Sequence, residues 1–209
     1  MTPMDPKYRI TAGLIGALGL ATLLTQLGLR LGRGQDLLLV LWSMAGFFTI
    51  LTNALTAATM LTIAVTGRRM AFGWMSTLTL SMIMVGLVYH LLLAHHFNFT
   101  GLRWWVDQAL HSILPALMLW FWLMEVTRHP PRDSQPLQWL IWPAIYAIYV
   151  LARGALSGRY PYPFLNVTQL GLGAVAVNMA AMIAAFVILA YVLHAIGTRM
   201  PLRDQRASR

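Results

Sequence analysis

Residues 37–65 read LLLVLWSMAGFFTILTNALTAATMLTIAV, a run without one charged side chain, closed by Arg68 and Arg69. About 20 consecutive apolar residues suffice to cross the hydrocarbon core of a bilayer as a helix. This run exceeds that, and it predicts a transmembrane helix long enough to tilt. Working outward, five further apolar runs appear at 10–31, 72–95, 104–126, 137–156 and 170–196. The pair Trp104-Trp105 opens one of them, as an interfacial aromatic belt would. Residues 127–136 (TRHPPRDSQP) break the pattern with three prolines and mixed charge, which reads as a loop. The expected fold is all-α: a polytopic membrane protein, one domain over 1–209, with a bundle of six transmembrane helices and a basic tail at 199–209.

Composition supports this reading. The 209 residues are 58% hydrophobic and 10% charged, and mean hydropathy is +0.65. Soluble domains carry about 25% charged residues, so so few charges cannot cover a water-facing surface. Net charge is +9, but the basic residues lie between the apolar runs and at the ends. No basic stripe with interleaved aromatics occurs, which argues against a nucleic-acid partner. Cysteine is absent, which excludes disulfides, thiol catalysis and thiolate metal sites.

Lysine and arginine counts set the expected orientation. One side carries Lys7, Arg9, Arg68, Arg69, Arg128, Arg132, Arg199, Arg203, Arg206 and Arg209. The other carries Arg30, Arg33, Arg103, Arg153 and Arg159. The richer side faces the cytoplasm, so both termini are expected there. The residue usage resembles that of a bacterial protein, hence the bacterial inner membrane, or the endoplasmic reticulum in a eukaryote.

Polar side chains inside spans are costly and should face the bundle interior or a wet cavity. Thr49, Thr52, Asn53 and Thr56 share one face of the second span. At the helical rise Thr49 lies ~18 Å past Leu37, near the midplane. The third span ends in Tyr89 and His90, the fourth begins with Asp107, Gln108, His111 and Ser112, the fifth ends with Tyr146, Tyr149 and Arg153, and the sixth carries Asn178. These groups predict a polar cavity in the outer half of the membrane. Pro115 cannot donate to the carbonyl of His111, so the fourth span should kink there. Interhelical hydrogen bonding alone would account for the threonines, but it suits Asp107, His111 and Arg153 poorly.

An imidazole beside a hydroxyl is a route to nucleophilic chemistry. Thr49 and His111 are the candidate catalytic pair. Asp107, one turn from His111, would orient the ring. Thr52, Asn53, Tyr89, His90, Tyr149, Arg153 and Asn178 are the candidate supporting or substrate-binding residues, with Arg153, Tyr149 or Asn178 donating to an oxyanion or holding a carboxylate.

Three stretches also carry a resemblance: Phe47-Phe48-Thr49-Ile50-Leu51-Thr52-Asn53, His111-Ser112-Ile113-Leu114-Pro115, and Tyr146 through Arg153 followed by Tyr160-Pro161-Tyr162-Pro163-Phe164-Leu165. With these, most of the membrane region resembles the androgen-induced protein / androgen-dependent TFPI-regulating protein family. That resemblance implies a multi-span hydrolase cleaving fatty acid esters of hydroxy fatty acids with a threonine and a histidine, matched here by Thr49 and His111. Thr52 stands where mammalian members carry an acidic residue, and Asp107 where an amide is usual. The expected partner is a membrane lipid or fatty-acid ester, with no cofactor. Two other readings stand beside it: a lipid-binding or transport protein using the same cavity, and a heme or metal protein built on His90, His95, His96 and His111. The first lacks an internal repeat. The second lacks a usual ligand spacing, since adjacent helical residues such as His95 and His96 diverge, and no metal is expected.

Overall fold

The computed structural model describes residues 5–126 and 135–200. Helix α1 (Pro6–Leu31) starts behind Asp5, whose carboxylate accepts from the Lys7 amide. Helix α2 (Leu37–Met44) is capped by Asp36. Next come α3 (Phe48–Thr66) and α4 (Phe72–Val88), which runs on as a π turn, Tyr89–Leu93, and a 3-10 turn, Ala94–His96. Helix α5 (Gly101–Gln108) passes through a second π turn, Ala109–Ile113, into α6 (Leu114–Val126). Helix α7 (Ile141–Ser157) follows a 3-10 turn, and α8 (Val167–Arg199) closes the bundle with a non-helical residue at Gly171. Among the described residues six helical units are long and apolar enough to cross a membrane. The protein is an all-α polytopic membrane protein. Residues 127–134 of the expected loop and 201–209 of the expected tail lie outside the described residues.

The outward surface agrees with a lipid solvent. Leu14, Leu38, Leu91, Ile148, Leu156, Leu172 and Ile188 are exposed, an apolar belt of a size that soluble monomers rarely show. The interior is built from Met60, Leu78, Leu80, Met82, Phe121, Trp122 and Trp139, all buried. Two of its indoles are paired, Trp122 donating to Ser76 Oγ at 2.9 Å and Trp74 to Thr59 Oγ1 at 3.0 Å, whereas Trp139 Nε1 and Ser81 Oγ are buried without a partner.

The first and third helices pack closely because small residues line the contact. A Cβ on Gly16 would meet Leu61 Cγ at 2.8 Å and the Leu61 amide nitrogen at 2.9 Å, and one on Gly19 would meet Ala57 Cβ at 3.1 Å. At the other end of this contact Arg9 donates to the carbonyl of Ala64 at 2.8 Å and of Val65 at 3.3 Å. A cation thereby caps the carbonyl end of α3.

The second span departs from expectation. The run 37–65 is not one helix: α2 ends at Met44, Phe47 is extended (φ −95°, ψ 128°), and α3 begins at Phe48. Thr49 therefore occupies the first turn of a helix and not the middle of one.

Gly16→Ala should lower stability by about 1–3 kcal/mol, because the added methyl overpacks against backbone. Gly28→Ala, where nothing lies within 4 Å, should not. Thermal unfolding in detergent micelles separates the two; equal midpoints would contradict the packing described.

Candidate active site

Where α2 ends and α3 begins, carbonyls are released on one side and amides on the other, and each buried one needs a partner. Helix α7 supplies the first set from one face. Tyr146 donates to the Gly46 carbonyl at 2.7 Å, Tyr149 donates to the Ala45 carbonyl at 3.1 Å, and Arg153 donates to the Trp42 carbonyl. Arg153 also donates to the Tyr149 hydroxyl at 2.8 Å, and its guanidinium lies 4.0 Å from the Trp42 ring centroid. The contact at Gly46 is close: a Cβ there would meet Arg153 Nη1 and the Ser43 carbonyl, each at 3.2 Å.

The amide side is closed by the loop between α7 and α8. Phe47, at the N-cap, makes no side-chain cap. Instead the Phe48 amide donates to the Tyr162 hydroxyl at 3.0 Å, and Tyr162 and Thr49 line the same cavity. Burial pushes the Tyr162 phenol above the ordinary tyrosine range, so it stays protonated and can donate. The loop is itself held down. Asn178 donates to the Phe164 carbonyl at 2.9 Å, and the Tyr160 ring fills the space a Cβ on Gly154 would need.

Two π turns face each other across the site. Each substitutes an i→i+5 bond for the normal ladder and reorients side chains. Pro115 has no N–H for the carbonyls of Leu110 or His111. The Leu110 carbonyl accepts instead from Asn53 Nδ2 at 3.4 Å, and that amide also donates to the Thr49 carbonyl at 2.8 Å. The His111 carbonyl packs on Gly86, where a Cβ would stand 3.0 Å from it. Asn53 thus ties the turn bearing Thr49 to the turn bearing His111.

The ring of His111 is held from three directions. Its Nδ1 lies 2.9 Å from the Asp107 carbonyl and 3.2 Å from Asp107 Oδ1. Both partners are acceptors, so Nδ1 carries the proton and Nε2 holds the lone pair. Tyr89 stacks on the imidazole, with centroids 3.8 Å apart and planes at 15°, and donates to Asp107 Oδ2 through a short hydrogen bond.

Thr49, Tyr89, Asp107 and His111 line one cavity of about 450 Å³, with Ile50, Leu110 and Tyr162 in its walls. Arg30, Arg33 and Arg103 stand in the same cavity. A second, apolar space of about 90 Å³ touches Thr49, Tyr89, Leu93 and Tyr162 from the other side and runs along Val85, Tyr146, Val150 and Phe186. A third, of about 550 Å³, shares Met84, Val88, Phe164 and Met182 with the second and reaches the exposed Leu91 and Ile188 between α4 and α8. Thr49 is thus the wall between a polar chamber and an apolar slot.

Several expected site residues have other work. Tyr149 and Arg153 are partners of the helix break and line none of the three cavities. Thr52, buried, accepts from Trp142 Nε1 at 3.0 Å on the α7 side. Asn178 holds the loop. His90 is exposed and pairs with Ser112 Oγ at 2.9 Å. His95 and His96 do not diverge: their rings lie 3.9 Å apart in the 3-10 turn. Among the described residues no three His, Asp or Glu side chains come together as metal ligands. Tyr162 was not among the candidates; a tyrosine between two prolines, as in Pro161-Tyr162-Pro163, is the signal for a side chain held rigidly. No protein-family model, curated protein or solved structure matches the chain, so the site is read from its own residues.

Tyr146→Phe should leave the Gly46 carbonyl without its phenol and lower stability by about 0.5–2 kcal/mol. Tyr191→Phe, at an exposed position, should leave the unfolding midpoint unchanged. Equal midpoints for the two variants would mean that the break does not depend on its α7 partners.

Proposed function

We propose that the protein is an intramembrane hydrolase of lipid esters, with Thr49 as nucleophile and His111 as general base. The observation that carries this reading is the shared cavity: Thr49 at a helix start and His111, its Nδ1 engaged by Asp107, line the same walls. In the first step Nε2 of His111 takes the Thr49 proton as Oγ1 bonds to the ester carbonyl carbon. The carbonyl oxygen becomes an oxyanion. It would be met by the phenol of Tyr162 and by first-turn amides of α3, whose Thr49 and Ile50 N–H groups have no acceptor within their helix. Collapse breaks the bond to the alcohol oxygen, which takes the proton from His111 and leaves as an alcohol. Water, deprotonated by the same nitrogen, then attacks the threonyl ester, releasing the carboxylic acid and restoring Thr49.

Asp107 supports the imidazolium formed in each half-reaction. Asn53 is a positioning residue for both reacting turns. The apolar slot suits the acyl chain and the polar chamber suits the alcohol part, which favours an amphiphilic ester. The likeness to the androgen-induced protein family supports the same assignment, including fatty acid esters of hydroxy fatty acids as substrates. From the arginine and lysine distribution we place both termini in the cytoplasm of a bacterium, with the cavity opening on the far side of its inner membrane. A lipid-binding or transport role would use the same cavity and would show as intact, stoichiometric co-purified lipid with no product over time.

Thr49→Ala and His111→Ala should each lower ester turnover by at least about 10²-fold, with the unfolding midpoint retained. Tyr162→Phe should lower kcat by about 10²-fold if its phenol meets the oxyanion. A fluorophosphonate should label the intact protein at Thr49, as read by peptide mass spectrometry. No labelling, together with no turnover across a panel of lipid esters, would overturn the proposal.

A further inference from the structure

The polar chamber carries more positive charge than the chemistry above needs. Arg30 and Arg33 come from the end of α1, and Arg103 from the first turn of α5. Arg30 is half-buried, donates to Ser43 Oγ at 3.0 Å and lies 5.6 Å from the Phe47 ring centroid. Arg103 lies 4.8 Å from the Phe99 ring centroid. Arg33 and Arg103 are exposed and line the same cavity as Arg30.

Among the described residues none of the three has an ion-pair partner. Among the described residues the one carboxylate lining the cavity, Asp107, is bound to Tyr89 and beside His111 Nδ1. Asp36, next in sequence to the α1 end, uses its carboxylate on the Leu38 and Leu39 amides. Arginines that only anchor a bundle at the interface snorkel outward independently. These three converge on one cavity, and like charges gathered there without a counter-ion raise the local potential for an incoming anion. Guanidinium groups also match carboxylate and phosphate oxygens in geometry.

We propose that Arg30, Arg33 and Arg103 form a binding site for an anionic group, a carboxylate or a phosphate, carried at the polar end of the ester substrate. This rests on the hydrolase reading for the ester but on the three arginines alone for the charge. The anion sits at the chamber mouth, the ester at Thr49, and the acyl chain in the slot. Substrate choice then depends on a charged end as well as on chain length.

The test uses three long-chain esters with the same acyl chain, ending in a carboxylate, a phosphate monoester or a neutral methyl ester. Their retention by full-length Thr49→Ala protein in detergent micelles is measured by native mass spectrometry, where no turnover interferes. The charged esters should bind on the order of tenfold or more tightly than the neutral one, the size expected of one charge-assisted hydrogen bond. Arg33→Gln and Arg103→Gln should each narrow that ratio, the double variant should bring it near one, and Arg33→Lys should restore part of it. The ratio between the carboxylate and phosphate probes tells a free acid from a headgroup. Equal binding of charged and neutral esters, or a ratio indifferent to both arginines, overturns the proposal. Preferred binding of the charged esters without their hydrolysis by the unaltered protein removes the hydrolase reading and leaves this site standing. Hydrolysis without any charge preference does the reverse.

Discussion

A buried backbone group that leaves the helical ladder must find another partner. The interruption at residues 45–47 can exist only because other parts of the chain reach it. Tyr146, Tyr149 and Arg153 meet its carbonyls, and Tyr162 meets its first amide. Each of these side chains is polar at one end and can bring its own apolar body into the bundle. In one continuous helix over residues 37–65 these partners would not be needed. Thr49 would then sit mid-helix, where its own amide bonds to the preceding turn and has nothing to offer a ligand.

The same constraint acts on the opposite wall. Pro115 and the π turn before it release carbonyls at Leu110 and His111, and these are met by Asn53 and by close approach to Gly86. The irregular backbone of α3 and that of α5–α6 are consequently joined through one side chain. A hydroxyl at a helix start and an imidazole with a defined tautomer come to one cavity because their supporting backbones are locked together. In a water-filled cleft these groups could drift; here the cost of an unmet polar group in an apolar medium keeps them in register.

How much of this was legible in the sequence varies with the kind of signal. Span number follows from length and charge, but of the 37–65 run only Phe48–Thr66 is a helix long enough to cross a membrane. The break within it was hidden, since Ala45-Gly46-Phe47-Phe48 is apolar and hydropathy does not register backbone conformation. Its cause lies about a hundred residues away on α7, beyond the reach of any local pattern. Thr49, Tyr89, Asp107 and His111 were legible because ionisable or hydroxyl groups in spans need a reason to be there. For Arg153 and Tyr149 the reason turned out to be backbone carbonyls and not a ligand. Thr52 shares a helix face with Thr49 and Asn53, yet faces Trp142 because a helix face about 100° wide meets several neighbours at once. Arg30, Arg33 and Arg103 counted only toward topology until the structure gathered them into one cavity.

The account depends on α2 and α3 being separate helices. Phenylalanine-selective ¹³C labelling of the protein in micelles reports this through the Cα and Cβ chemical shifts of Phe47 and Phe48. The account predicts extended shifts at Phe47 followed directly by helical shifts at Phe48. Helical shifts at both, continuous with those of residues on either side, would contradict it and with it the placing of Thr49 at a helix start.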